Sequence, residues 1–322
     1  MIRTSLATRR TAHAAVLAAP LAARAAFSAD GAARARAGAT RGVVLDLAWA
    51  GRRLVAVGER GHVLLSDDQG QAWRQARAVP TRTTLTSLHA SDEQTLWAAG
   101  HGGVILRSGD AGETWSLVAG KADGPDVLLA IRVEPDGRGL AVGGFGIALA
   151  TADGGKTWQQ RPLLEGEMGE KHLNRIFVSG AGTWLIAAEG GVVLRSGDRG
   201  ATWIAVKTPY AGSLWTGLAL KGGHLLVGGM RGNVVRSTDD GRSWTHRAIA
   251  EAGSLVGGAA LPDGGAAMVG VDGTLVWGDA AGESFRLQRL EDRTTLTAAV
   301  ALRQDALVAV SVAGLRRVEA SK

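Results

Sequence analysis

One sixteen-residue phrase recurs six times in this sequence, at a spacing that restricts the fold more than any other property of the chain. The copies read GERGHVLLSDDQGQAW from Gly58, GHGGVILRSGDAGETW from Gly100, GGFGIALATADGGKTW from Gly143, AEGGVVLRSGDRGATW from Ala188, GMRGNVVRSTDDGRSW from Gly229 and GVDGTLVWGDAAGESF from Gly270. Their closing aromatics, Trp73, Trp115, Trp158, Trp203, Trp244 and Phe285, lie 42, 43, 45, 41 and 41 residues apart. A period near 40 marks a repeat architecture. Within one unit, Leu85 to Ala90, Thr95 to Gly100, Val104 to Ser108 and Thr114 to Ala119 are short apolar runs separated by turn residues, which makes room for four strands. No stretch shows a helical period. A four-stranded sheet of this size buries its faces only against copies of itself, so the expected fold is all-β, a propeller of four-stranded antiparallel blades. The 47 glycines agree, because tight turns need the positive φ that glycine supplies.

The ring is predicted to have seven blades. After Phe285, Arg293 to Thr297 (RTTLT) repeats Arg82 to Thr86 (RTTLT), and further strands run to Val318, which leaves a last blade without its outer strand. Ala32 to Thr40 is the segment available to supply that strand from the other terminus. Six blades with an appendage is the competing count.

Residues 1–29 read as an export signal. Arg3, Arg9 and Arg10 precede the apolar stretch Ala14 to Ala23, and small residues follow at Ala23, Ala25 and Ala29. The apolar stretch is far shorter than the roughly 20 residues that span a bilayer. The pair Arg9-Arg10 lacks the strongly apolar continuation of a twin-arginine signal, so the general export route is favoured. Cleavage near Ala29 removes four arginines and no acid, leaving 36 − 4 = 32 basic against 30 acidic residues. The mature chain, a single propeller domain over residues 30–322, is then close to neutral and unsuited to nucleic acid. A soluble monomer in the periplasm or an equivalent extracytoplasmic space is expected. There is no cysteine, so neither disulfides nor thiolate metal sites arise.

The S-x-D-x-G-x-T-W element has a structural explanation. Between the third and fourth strands the Asp carboxylate can accept hydrogen bonds from turn amides, the glycine permits the reversal, and the Trp covers the hairpin. Asp68, Asp110, Asp153, Asp198 and Asp239, with Trp73, Trp115, Trp158, Trp203 and Trp244, are therefore assigned to the fold, since a catalytic acid is needed once and these recur. The sixth copy has Gly278 for Ser and Ala280 for Asp, and a weaker hairpin is expected there. A calcium reading of these acids lacks the closing acidic ligand of an EF-hand loop. No cofactor, metal or catalytic residue is assigned.

These Asp-box repeats, the phrase LVAVGERGHVLLSDDQGQAW from Leu54 to Trp73 and the Gly-x-x-Gly turn before each box resemble the photosystem II stability and assembly factor-like propellers. The resemblance covers about residues 43–318. It implies a seven-bladed, non-enzymatic propeller on the outer side of a membrane that aids assembly or operation of a membrane protein complex or exporter.

Blade geometry puts the Gly-x-x-Gly turns on the same face as the connections between blades. The variable pairs Glu59-Arg60, His101-Gly102, Gly144-Phe145, Glu189-Gly190, Met230-Arg231 and Val271-Asp272 then circle one mouth of the ring. Arg60, His101, Phe145, Glu189 and Arg231 are the candidate partner-binding residues. The long connection Arg161 to His172 borders the same face. Two other functions compete with docking. A sialidase-like glycosidase needs a tyrosine nucleophile, and Tyr210 is the one tyrosine of the chain. A glycan- or peptide-binding propeller also suits the fold.

Overall fold

The computed structural model describes residues 31–121, 124 and 126–321; the expected export signal lies outside them. Seven antiparallel sheets follow one another along the chain. Blade 1 is built from Val44–Ala50, Arg53–Gly58, Val63–Ser66 and Arg74–Gln75, and blade 2 from Leu85–Ala90, Leu96–Gly100, Ile105–Ser108 and Ser116–Ala119. Blade 3 comprises Leu128–Val133, Gly139–Gly143, Ala148–Thr151 and Gln159–Gln160; blade 4 comprises Leu173–Val178, Trp184–Ala188, Val192–Ser196 and Ile204–Lys207. Blade 5 runs through Leu214–Ala219, Leu225–Gly229, Asn233–Ser237 and Thr245–Ala248, and blade 6 through Leu255–Ala260, Ala266–Gly270, Thr274–Gly278 and Phe285–Arg289. Blade 7 has three strands, Leu296–Arg303, Ala306–Ser311 and Gly314–Glu319. The chain is a seven-bladed propeller, and among the described residues no helix is long and apolar enough to cross a membrane.

The second strand of each blade is its most apolar because it has neighbours on every side. It pairs with a strand at either edge, and both its faces meet other blades, so Leu54 to Val57, Leu96 to Ala99 and Leu185 to Ala188 are essentially inaccessible. Such double-sided burial favours continuous apolar runs over alternation. The core is a set of wedges between successive blades: Val55, Val57 and Leu65 of blade 1 pack with Leu85, Leu88, Leu96 and Leu106 of blade 2.

Every blade carries a register shift near the start of its first strand, as between Leu85 and Ser87, Leu173 and Arg175, and Leu296 and Ala298. A bulge leaves one residue out of the ladder and re-aims its side chain. That residue reaches the next blade. Asn174 Nδ2 donates to Leu214 O at 2.8 Å, Thr86 Oγ1 to Leu128 O at 2.5 Å, and Thr297 Oγ1 to Val44 O at 2.6 Å. Inner strands have an unpaired edge, and these side chains satisfy part of it.

The last of these bonds joins blade 7 to blade 1 and closes the ring. Leu47, Leu54 and Leu64 share a core with Val308 and Val310, and Trp49 Nε1 donates to Ala301 O at 3.2 Å. The segment Ala32 to Thr40 does not complete blade 7 as a strand. Ala33 N instead donates to Val79 O at 2.8 Å on the blade 1 to blade 2 connection, and Ala39–Arg41 forms a 3₁₀ turn whose neighbourhood includes Gly314. Its arginines and alanines offer no apolar alternation to bury beside blade 7. Side-chain packing between two inner strands closes the ring without a shared sheet.

Candidate docking face

In blades 1 to 6 the hairpins between second and third strands are two-residue turns with both central residues left-handed. Arg60 and Gly61 have φ of 57° and 67°, Phe145 and Gly146 52° and 70°, Arg231 and Gly232 54° and 68°, Asp272 and Gly273 57° and 64°. This is the type I′ geometry that matches strand twist. The second glycine is fixed for a further reason: a Cβ on Gly61 would stand 2.0 Å from Thr81 O, and one on Gly146 1.6 Å from Gly169 O. Each of those carbonyls belongs to the connection into the next blade, so turns and connections share a face, as the sequence predicts.

Five candidate residues therefore stand on one face, each on its own blade. No hydrogen bond or ion pair joins any two of them among the described residues. Arg60 lies 3.9 Å from Glu59 and is otherwise open to solvent. His101 is exposed, and its N–H donates to Thr84 O. Glu189 braces the incoming connection, its Oε2 accepting the His172 N–H at 3.3 Å, and Glu59 does the same in blade 1 for Val43 N at 3.4 Å. Arg231 is fixed through its backbone, which donates to Ser254 Oγ at 3.1 Å.

Phe145 stands apart. It is 82% exposed, occupies a left-handed conformation that bulky side chains seldom adopt, and rests on His172 with ring centroids 4.7 Å apart. The connection from Arg161 to His172 thus enters the face as a support for Phe145, with a short 3₁₀ turn at Gly166–Met168. Tyr210 is not presented to a cleft. Its ring stacks on His246 at 5.6 Å, and its hydroxyl donates to Met230 O at 3.3 Å.

A seventh hairpin follows in the same frame, although its central residues Val312 and Ala313 are not left-handed. Ser311 to Gly314 (SVAG) lies 41 residues after Gly270, in frame with the preceding copies, and exposes Val312 beside blade 1. Serine replaces the first glycine, and Ser311 Oγ donates to Gly314 O at 2.9 Å. The period alone could have located it.

On the opposite face, each turn acid is hydrogen-bonded within its own hairpin. Asp110 Oδ1 accepts from Thr114 N at 2.8 Å and from Ser108 Oγ at the same distance, while its Oδ2 accepts from Thr114 Oγ1 at 2.6 Å. Asp153, Asp198 and Asp239 repeat the arrangement, whereas Asp68 accepts from Ser66 Oγ at 2.8 Å and from the Gln71 and Ala72 amides, Ala72 having no hydroxyl to add. Trp115 Nε1 donates to Gly112 O at 2.9 Å and Trp73 Nε1 to Gly70 O at 3.2 Å. In blade 6 the missing acid is replaced from one position earlier: Asp279 Oδ1 accepts from Glu283 N at 2.9 Å and Oδ2 from Ser284 N at 3.1 Å.

The channel holds a charge pair. Arg175 Nη1 of blade 4 meets Asp46 Oδ2 of blade 1 at 2.9 Å, and the same oxygen accepts from Leu88 N of blade 2 at 2.9 Å. His89, nearby on the inner strand of blade 2, is held neutral by burial and by Arg132, its pKa drawn down to about 3.

Residues 123–275 match the family model of the photosynthesis system II assembly factor YCF48. No curated protein sequence matches the chain. Among solved structures, YCF48 bound to a D1 peptide superposes with a TM-score of 0.69 at 17% identity, covering 92% of this chain and 97% of that one. YCF48 from Cyanidioschyzon merolae gives 0.64 at 15% identity, covering 87% and 96%. The WD40 propeller domain of Doa1 also reaches 0.69, at 14% identity over 92% and 98%. Likeness to these solved structures shows the propeller fold, and residues 123–275, across blades 3 to 6, are similar to the photosystem II assembly factor family.

Proposed function

We propose that this protein is a non-enzymatic extracytoplasmic factor that docks on a membrane protein complex through the face bearing the left-handed turns. The observation that carries the reading is Phe145. A strained backbone that displays an apolar ring to water is a cost to the fold, and such costs concentrate where a partner compensates them. Exposed aromatics supported by a neighbouring ring are also the side chains from which binding hot spots are made. Arg231 and Val312 extend the surface to the blades on the other side of the mouth. YCF48, to whose family residues 123–275 are similar, has been solved bound to a D1 peptide, so a peptide segment of a complex subunit is the kind of partner proposed. Residues 1–29 would deliver the chain across the membrane and be removed.

The glycosidase alternative would require Tyr210 to attack a sugar. Its hydroxyl is directed to a backbone carbonyl, and its ring is covered by His246, an arrangement that gives it a packing role.

The test is crosslinked pull-down from the native envelope. Phe145→Asn with Arg231→Glu is expected to abolish capture of the membrane complex while leaving the melting temperature unchanged or slightly raised, because asparagine tolerates the left-handed conformation. Undiminished capture would exclude this face. N-terminal sequencing of the mature protein checks cleavage near Ala29.

A further inference from the structure

The connection that supports Phe145 is also acidic. Between Arg161 and His172 it carries Glu165, Glu167 and Glu170, all exposed, and among the described residues none of these carboxylates makes a hydrogen bond or an ion pair. Arg161 is turned away from them, its guanidinium donating to Ala201 O at 2.5 Å on the opposite face. Glu189, exposed on the blade 4 turn, adds a further carboxylate, and its one partner is the His172 amide. Lys171 is the cation that remains on this connection, and its Nζ lies close over Gly190. Acids elsewhere on the same face are matched: Asp272 on the blade 6 turn has Arg289 and Arg293 at 2.5 and 2.9 Å, and Glu59 on the blade 1 turn has Arg60 at 3.9 Å.

These charges are anchored beside the exposed ring. Gly146 N, next to Phe145, donates to Lys171 O at 2.9 Å, and a Cβ on Gly146 would stand 1.6 Å from Gly169 O and 3.4 Å from the Glu170 Cα. The backbone on both sides of Glu170 is therefore packed against the Phe145 turn. The 3₁₀ turn Gly166–Met168, closed by Gly169 N on Gly166 O at 2.8 Å, has Glu165 at its N-cap and Glu167 within it. His172 meets the Phe145 ring at a tilt of 57°, and the phenylalanine is still 82% exposed.

An exposed ring offers contact area to any partner, and the charge around it decides which partner gains most. The face of an aromatic ring is negative, so ring and carboxylates favour a cation together. An anionic segment is repelled by both, and a neutral apolar segment gains from the ring alone. We propose that the segment docking at Phe145 is a basic peptide, with Lys or Arg side chains meeting the ring and the carboxylates of blades 3 and 4. The proposal rests on the docking reading above and adds to it the charge of the partner, which steers encounter and rejects segments of the wrong sign.

Fluorescence anisotropy with three labelled synthetic peptides of one length, alternating Lys-Leu, Gln-Leu and Glu-Leu, tests this. The purified chain is expected to bind the lysine peptide saturably and at least about ten-fold more tightly than the other two, with an affinity that falls as salt is added. That affinity should drop at least about ten-fold in Glu165→Gln/Glu167→Gln/Glu170→Gln and in Phe145→Asn, with the melting temperature of the triple variant unchanged. It should persist in Glu93→Gln, which removes an exposed carboxylate from the first hairpin of blade 2 on the other face. No binding of the lysine peptide, equal binding of the glutamine peptide, or native affinity in the triple variant would overturn the proposal. Capture from the native envelope separates this failure from failure of the docking reading. Capture lost in Phe145→Asn/Arg231→Glu but intact in the triple variant removes the basic partner alone, whereas capture intact in both removes the docking face and this proposal with it.

Discussion

Each turn acid finds more donors in the folded hairpin than an unfolded chain offers, and its proton affinity records the difference. The Thr157 amide, followed by the Thr157 hydroxyl, holds Asp153 down to about 2; the Thr202 hydroxyl and then its amide do the same for Asp198. In the unfolded chain these carboxyls titrate near 3.8. A depressed folded pKa means stability that is complete above the unfolded value and lost as pH falls through the folded one. The propeller should therefore lose stability between about pH 4 and about pH 2. Thermal melts across that range are expected to show Asp153→Asn less stable than the native chain at neutral pH and less sensitive to acid, since it has no proton to take up at that turn. Parallel acid profiles for the two chains would show that the hydrogen bonds do not discriminate between charged and neutral forms. Residues of this kind were legible in the sequence because the same acid recurs in the same frame. Phe145 was legible as a candidate by position, but not its left-handed strain or its support by His172, which depends on a connection folding back over the next turn.

A hairpin tolerates the loss of its consensus acid when a neighbour can reach the same amides, and blade 6 does this with Asp279. The substitution pattern has a steric cause. A Cβ on Gly278 would lie 2.9 Å from the Phe285 ring, so the Ser usual at that position and the Phe that replaces Trp exclude one another. Without the serine hydroxyl the turn relaxes enough for Asp279 to take both Glu283 N and Ser284 N. Asp279→Ala is accordingly expected to destabilise the chain by about 1 kcal/mol in denaturant unfolding, comparable with Asp110→Ala, by stranding turn amides. A silent Asp279→Ala would return blade 6 to the weaker hairpin that its consensus suggests. Periodicity located the elements themselves. It could not disclose that the outer strands of blades 1 and 3 shrink to Arg74–Gln75 and Gln159–Gln160, since an edge strand has one partner and its length depends on what covers it.

Rings of repeats have weak points where equivalence ends, and here that point is the seam between a three-stranded last blade and the first. A strand exchanged between termini would lock the seam through a sheet ladder, and the sequence left that option open because composition says little about which polar segment is nearest. The seam is instead held by Val308 and Val310 against Leu54 and Leu64, and the ring is braced from within by Arg175 reaching Asp46. Blades 1 and 4 are three steps apart in a ring of seven, so this pair spans the channel. Asp46 has a side chain only 2% exposed and also receives the Leu88 amide of blade 2, which makes one carboxylate the meeting point of three blades. Removing the cation alone leaves a buried negative charge compensated only by amides, at a cost of about 3 kcal/mol. Removing both charges leaves a polar but neutral acceptor. Arg175→Met should therefore unfold at markedly lower denaturant than Arg175→Met combined with Asp46→Asn, a non-additivity of about 1 to 3 kcal/mol. Additive losses would mean that Arg175 serves only as packing in the channel, and that seam contacts alone keep the seven blades closed.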